Sequence, residues 1–239
     1  MQKRGTHKDI HSTSGGKYLK SLVYGGLDGI ITTFAVVAGV VGANLSSAVI
    51  LILGFANLIG DGISMAFGDY LSTKSEGEYY KTEKNVEERE ALKNPKAEKS
   101  EMESILVKKG FKKVDAKKIS FLISKNRNYQ ADTMLHNELG IIYDKVHPER
   151  NALVTFFSFL TFGVIPLILF VFALIFKVKI SNEFLWASIL SGVSMFLLGV
   201  FKSKITKKNW LESGIVTLVI GGIAATAAYF VGDFLSKIV

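Results

Sequence analysis

Residues 21–73 read SLVYGGLDGIITTFAVVAGVVGANLSSAVILILGFANLIGDGISMAFGDYLST, and this stretch sets the class of the protein. Its only charged side chains are Asp28, Asp61 and Asp69. A membrane-spanning helix needs about 20 mostly apolar residues, so the stretch is long enough for two such helices. The polar cluster GANLSS at 42–47 is typical of a turn and marks the break between them.

Three further blocks without charged side chains follow, at 151–176, 184–201 and 213–232. Each is long enough for one more spanning helix. The chain has no cysteine, which excludes disulfides and thiolate metal sites. We therefore predict an all-α integral membrane protein with five transmembrane helices, near residues 19–42, 47–72, 152–176, 184–202 and 212–234.

The distribution of lysine and arginine predicts the orientation of the chain. Basic residues are frequent in the N-terminal tail, in the segment 74–150 and in the loop after the fourth span. Five spans place these three regions on one side of the membrane, and the positive-inside rule makes that side the cytoplasm. The net charge of +8 is thus explained by topology, and no nucleic-acid partner is predicted.

The predicted organisation follows from this orientation. The first 20 residues lack an apolar core, so we expect no cleavable secretory signal. The predicted regions are a cytoplasmic tail at 1–18, spans one and two at 19–73, a cytoplasmic helical metal-binding domain at 74–150, and spans three to five at 151–239.

The segment 74–150 has 17 Lys or Arg and 14 Asp or Glu residues, a composition often found in disordered chains. Helix signals nevertheless favour an ordered bundle. A helical pattern continues from span two and ends at Asn94–Pro95, because the residue before a proline avoids helical geometry. Three more helices follow, one ending at Gly110, one with Asp115 as its N-cap and one ending at Gly140.

Acidic residues in this bundle recur three or four positions apart, which places them on shared helix faces. Carboxylate oxygens bind hard divalent cations, and a thioether favours softer transition metals. Such pairs on a charged helix are also typical of a solvated face, and that alternative stays open. The candidate metal ligands are Glu87 with Glu90, Glu98 with Glu101, and Met134 with Glu138.

Spans one and two carry a second set of candidates. A charge in the bilayer centre costs about 3 kcal/mol on the insertion scale, so it is usually functional. At about 1.5 Å per residue, Asp28 and Met65 lie at similar depth in antiparallel spans. Asp61 lies one turn deeper than Met65 and Asp69 one turn shallower, so the four side chains are predicted to line an ion path.

Four residues of these spans also fit roles unrelated to ion transport. A lone methionine in a span commonly serves packing. Asp28 follows YGGL, and it is also in a position to cap a broken helix. Gly25 and Gly29 permit close helix contact, so span one is alternatively a dimer interface.

Four stretches resemble the vacuolar iron transporter family: YGGLDGIITTFAVVAGVVGA, GFANLIGDGISMAFGDYLSTKSE, EEREALKNPKAEKSEM and ADTMLHNELGI. The run D-G-x-x-T-T-F-A-V-V-A-G is a specific signature, and the resemblance covers nearly the whole chain. It implies a homodimer with five spans per subunit that exports Fe(II), and often Mn(II), from the cytoplasm in exchange for protons. It also implies that the protein lies in a vacuolar-type membrane or a bacterial plasma membrane.

The resemblance also assigns residues. It places the family's transmembrane aspartate on Asp28 and its transmembrane methionine on Met65. A second cytoplasmic methionine of the family falls on Leu135, which implies weaker selection of iron against manganese or zinc. The family's other cytoplasmic metal ligands fall on Glu87, Glu90, Glu98, Glu101, Met134 and Glu138.

Two further classes of function compete with a transporter. A membrane di-iron enzyme built on a helical bundle usually contains Glu-x-x-His, and here no glutamate has a histidine three residues later. A structural or lipid-handling membrane protein accounts for the spans but not for the acids within them. We therefore expect a transporter and not an enzyme, with metal as substrate and no prosthetic group.

Overall fold

The computed structural model describes residues 18–143 and 146–238, and these residues contain helices but no strand. Except for Tyr18, the predicted tail 1–18 lies outside the described residues. The chain forms two compact units, one of residues 18–71 with 146–238 and one of residues 72–143. The helices are α1 (Leu19–Gly42), α2 (Ser47–Lys93), α3 (Pro95–Lys108), α4 (Lys113–Ile123), α5 (Arg127–Asn137), α6 (Pro148–Gly163), α7 (Ile168–Phe176), α8 (Glu183–Thr206) and α9 (Trp210–Leu235).

Five stretches among the described residues are long and apolar enough to cross a membrane, which confirms the predicted number of spans. They are α1, α2, the run Pro148–Phe176, α8 and α9. The third is not one straight helix, because a 3-10 turn at Ile165–Leu167 separates α6 from α7. Pro166 lies in this turn, where a residue without a backbone N–H interrupts the helical ladder.

Helix α1 lies at the centre of the membrane-spanning unit. In the most hydrophobic 18-residue stretch of α1, 56% of the residues are buried, against 22–28% in the corresponding stretches of the other four spans. Ile30 and Val37 of α1 and Phe159 of α6 are fully buried. Helices α6, α8 and α9 pack against α1, and the other four spans leave most of their apolar side chains on the outer surface of the unit.

Small residues let α6 approach α1 closely. A Cβ atom on Gly25 would lie 2.6 Å from the carbonyl oxygen of Thr155, and one on Gly29 would lie 3.1 Å from the amide nitrogen of Gly163. The Ser158 hydroxyl donates a hydrogen bond of 2.6 Å to the carbonyl oxygen of Leu22 across the same contact. The interpretation of Gly25 and Gly29 as a dimer interface is therefore wrong, since their face packs within the chain.

The second unit has its own small apolar core beside the hydrophilic end of α2. The core joins α3, α4 and α5, with Met102, Leu106, Ala116 and Met134 buried together. The break at Asn94–Pro95 is confirmed, because α2 ends at Lys93 and α3 begins at Pro95.

The helix ends of the second unit agree only in part with those predicted from the sequence. Gly110 follows α3 with a φ of +98°, and Gly140 follows α5 with a φ of +68°, in the left-handed region that glycine tolerates. The predicted N-cap of α4 is wrong, because Lys112 is the N-cap and Asp115 lies inside the first turn. Asn126 caps α5, where its side chain accepts a hydrogen bond from the Tyr129 amide.

The α1–α6 contact makes a prediction about stability. Gly25→Ala places a methyl group against the Thr155 carbonyl, and overpacking of this kind costs about 1–3 kcal/mol. We expect a lower melting temperature for the purified protein in detergent. The matched control is Gly222→Ala in α9, where a Cβ atom meets nothing within 4 Å. Equal melting temperatures for the two variants would contradict the close contact.

Candidate metal-ion site

Two glutamates of the second unit are buried on either side of the break between α2 and α3. Glu87 and Glu98 are each only 6% exposed. The break itself is held by the Glu98 amide, which donates to the Asn94 carbonyl at 3.2 Å. Burial of two carboxyl groups is unusual, because a buried carboxylate loses its hydration.

Electrostatic interaction joins these two residues to the other candidate glutamates. Burial, followed by the charges of Glu138, Glu98, Glu90 and Glu101, raises the pKa of Glu87 to about 7. Each neighbour acts in the same direction because like charges disfavour ionisation. The structure thus brings all five predicted glutamates within electrostatic range of one another.

The same causes act on two more members of the cluster. Burial and the charges of Glu101, Glu90 and Glu138 raise the pKa of Glu98. Burial and the charges of Glu101 and Glu90 raise the pKa of Glu138, and a hydrogen bond with Glu101 adds to the effect. We call these five residues, Glu87, Glu90, Glu98, Glu101 and Glu138, the acidic cluster.

One carboxylate oxygen of the acidic cluster lacks a hydrogen-bond donor among the described residues. Within the described residues, Oε2 of Glu98 is buried and receives no hydrogen bond. A buried acceptor without a donor costs about 1–3 kcal/mol, and more when it is charged. A cation at this oxygen would remove that cost.

The acidic cluster is not a finished coordination sphere. Among the described residues, no three His, Asp or Glu side chains already lie close enough to hold one metal ion. The carboxylates carry like charges and repel each other. A bound cation would remove the repulsion and draw the side chains together.

Met134 has a different environment from the glutamates. Its side chain is 1% exposed and belongs to the apolar core with Met102 and Leu106. Leu135, at the position of the second family methionine, is fully buried. The structure therefore places Met134 in the core that supports α5, rather than in an open position beside the acidic cluster.

A contact between α2 and α5 is not evident from the sequence. Oδ1 of Asp132 accepts a 2.5 Å hydrogen bond from the Tyr80 hydroxyl and lies 2.5 Å from Nζ of Lys84. The Tyr80 ring stacks on Tyr143 with centroids 4.7 Å apart. Because α5 leads directly into Glu138, this contact fixes the helix that carries one member of the acidic cluster. Tyr80 and Lys84 are four residues apart on one face, which is the only sequence signal of the contact.

The membrane-spanning unit holds the other candidates. Asp28 on α1 and Asp61 on α2 lie close enough for their charges to interact. Both are half-buried, as is Met65 one turn along α2. Asp28 lies inside an unbroken α1, so its interpretation as a cap of a broken helix is wrong. Nδ2 of Asn57, one turn beyond Asp61, is buried and has no acceptor among the described residues.

Asp69 has a distinct position among these acids. Its Oδ2 accepts hydrogen bonds from the Ser21 hydroxyl at 2.8 Å and from the Thr155 hydroxyl, and its Oδ1 accepts one of 3.4 Å from the Asn151 amide. The three donors come from α1 and α6. Asp69 therefore joins α1, α2 and α6 near the end of the spans.

Comparison with known proteins identifies the family. The family model described as the VIT family matches residues 19–233. A vacuolar iron transporter of Toxoplasma gondii is 39% identical over 98% of this chain and 80% of that protein. A vacuolar iron transporter of Plasmodium berghei is 34% identical over 96% and 86%, and vacuolar iron transporter 1 of Arabidopsis thaliana is 30% identical over 93% and 88%. These matches confirm the resemblance seen in the sequence, and the chain belongs to the VIT family.

Proposed function

We propose that the protein is a divalent transition-metal transporter that exports Fe(II), and also Mn(II), from the cytoplasm in exchange for protons. The observation that carries the proposal is the acidic cluster, in which the buried Oε2 of Glu98 has no donor among the described residues. Membership of the VIT family, with relatives named vacuolar iron transporters, supports the metal as a substrate.

Proton exchange follows from the chemistry of the ligands. A carboxyl group must lose its proton before it binds a cation, so metal and proton compete for the same oxygen atoms. The pKa of Glu87, raised to about 7 by burial and by the neighbouring carboxylates, places this competition at neutral pH. Metal collected by the acidic cluster would therefore release protons on the cytoplasmic side.

The path through the membrane is proposed to use the half-buried acids of α1 and α2. Asp28 and Asp61 provide two interacting carboxylates, and Met65 adds a thioether that suits a softer transition metal. Asp69 lies one turn from Met65 toward the hydrophilic end of α2, at the proposed cytoplasmic entrance. Its oxygens accept bonds from α1 and α6, so its main contribution is to hold that entrance in shape.

A homodimer is proposed to complete the path. The outer face of α2 exposes Ile59, Ile63 and Phe67 together with Gly60 and Gly68, whose Cβ positions meet nothing within 4 Å. Small residues between apolar side chains permit close helix packing in lipid. A second copy packed on this face would bring two sets of α2 acids together. The N-terminus and residues 74–150 would lie in the cytoplasm.

Metal binding to the acidic cluster provides the first test. We expect Glu98→Gln in the full chain to weaken Mn(II) binding by about tenfold or more, because a lost charged ligand is worth at least about 1.4 kcal/mol. Calorimetry of the protein in detergent measures this. Glu103→Gln is the matched control, since it changes a glutamate of the same helix outside the acidic cluster.

The same titration reports proton release. Binding is expected to weaken as the pH falls below about 7, where Glu87 gains its proton. Repeating the titration in buffers with different ionisation enthalpies gives the number of protons released, which Glu87→Gln should reduce. Equal Mn(II) affinities for the wild type and Glu98→Gln would remove Glu98 from the site. Absence of Mn(II) binding to the wild type would support a solvated acidic face that binds no metal.

Transport is expected to depend on Asp28. Asp28→Asn keeps the shape of the side chain but removes the charge that binds a cation, so Mn(II) and Fe(II) uptake into proteoliposomes should be lost. Asp233→Asn is the control, because this half-buried carboxylate of α9 pairs only with Lys237 at 2.7 Å in the described chain. Wild-type flux in Asp28→Asn would remove Asp28 from the path, and absence of flux in the wild type would reject the transporter.

Coupling to protons is tested separately. A divalent cation crossing alone works against the membrane potential at about 2.3 kcal/mol per charge per 100 mV, and returning protons offset this cost. With the potential clamped, acid on the destination side should accelerate export. Asp61→Asn should impair this acceleration more than it impairs metal binding. Equal rates with and without the pH difference would make the protein a uniporter.

A further inference from the structure

The segment 107–125, which runs from the end of α3 through α4, is strongly basic. It contains seven lysines against the single acid Asp115, a net charge of +6. The ion pairs in the described chain join Lys74 to Glu78, Lys84 to Asp132, and Lys237 to Asp233, so none of them engages these lysines. Lys109 donates a hydrogen bond to Oδ1 of Asn137, which is a neutral group. No ion pair among the described residues therefore neutralises the positive charge of this segment.

The same segment exposes large apolar side chains. Val114 is 67% exposed, Phe121 52% and Leu122 61%, and all three lie on one side of α4. The opposite side of α4 packs Ala116, with Ile119 and other residues, into the core of the second unit. Helix α4 is thus apolar on an inner face and again on an outer face, where a solvated helix would be polar.

Lysines and apolar side chains alternate on this outer face. Lys117 and Lys118 lie one turn after Val114 and one turn before Phe121, and both are exposed. The Nζ atoms of Lys99 and Lys125 lie 5.3 and 4.8 Å from the centre of the Phe121 ring. Both distances are within the range of a cation–π interaction. Lysines together with exposed Phe and Leu are the residue types that interfacial helices present to a membrane surface.

We propose that the outer face of α4, with the loop before it, binds the anionic headgroups of a phospholipid bilayer. Lysine ammonium groups would meet lipid phosphates and carboxylates, while Phe121 and Leu122 would enter the boundary with the acyl chains. A cytoplasmic leaflet carries the negative surface potential that attracts such a face. The inference does not depend on metal transport.

A second copy of the chain is a poorer occupant of this face. A symmetric contact would place the same basic surface on both sides, and the two sets of lysines would repel each other. An acidic protein would neutralise the lysines. A bilayer with anionic headgroups would neutralise them and would also bury the exposed Phe and Leu in its apolar interior. The experiment separates these occupants.

The absence of cysteine allows one label at a chosen site. A spin label at Leu122→Cys in the full chain, reconstituted in nanodiscs, reports collisions with oxygen, which concentrates in lipid, and with a neutral nickel chelate, which stays in water. In nanodiscs containing phosphatidylserine we expect oxygen collisions to rise and nickel collisions to fall relative to phosphatidylcholine alone. A label at Asn85→Cys, exposed on α2, should show no such shift.

Charge reversal tests the lysines. The pair K117E/K118E should abolish the lipid-dependent shift, whereas K81E/K93E, an equal charge change at exposed positions of α2, should leave it intact. Molar salt should also abolish the shift by screening, without any change of sequence. Unchanged melting temperature in K117E/K118E would show that the loss is not unfolding.

Four results would overturn the proposal. The first is a label at 122 that stays accessible to the nickel chelate in anionic nanodiscs, and the second is an equal response in both lipids. The third is a label that neither oxygen nor the nickel chelate reaches, as in a protein contact. The fourth is a shift that molar salt and K117E/K118E leave intact.

Discussion

The close approach of α1 to α6 is the constraint on which the membrane-spanning unit depends. It exists because Gly25 and Gly29 have no side chain to hold Thr155 and Phe159 away. Between helices in lipid there is little hydrophobic driving force, so contact of this kind and a few polar bonds provide the association. Asp69 adds such bonds, since donors from α1 and α6 meet on its carboxylate. With α1 fixed in this way, Asp28 is held where its charge interacts with that of Asp61.

The second unit is organised around a conflict between burial and charge. Its core is small, and Glu87 and Glu98 beside it are buried without a cationic partner among the groups that shift their pKa values. The contacts of Asp132 with Tyr80 and Lys84 join α5 to α2. The apolar core and this contact between α2 and α5 together keep the mutually repelling carboxylates of the acidic cluster near one another.

The sequence predicts features that depend on local composition and fails where distant residues meet. The five spans follow from long stretches without charge, and the end of α2 follows from Asn94–Pro95. The contact of Tyr80 with Asp132 joins residues 52 positions apart, so no local pattern contains it. Met134 has the spacing of a ligand beside Glu138, yet its packing in the core depends on α3 and α4. The glycines of α1 likewise predict a close helix contact without naming the helix, and the structure assigns that contact to α6 of the same chain.

The raised pKa of Glu87 has a consequence for the lifetime of the protein. Because the folded chain holds this proton up to about pH 7 and the unfolded chain releases it near 4.5, the free energy of unfolding of the metal-free protein falls as the pH rises through that interval. A ligand that binds only the folded state adds RT ln(1 + [L]/Kd) to the same free energy. Under the proposed function, cytoplasmic metal would thus protect the transporter from proteolysis, and scarcity of metal would favour its removal.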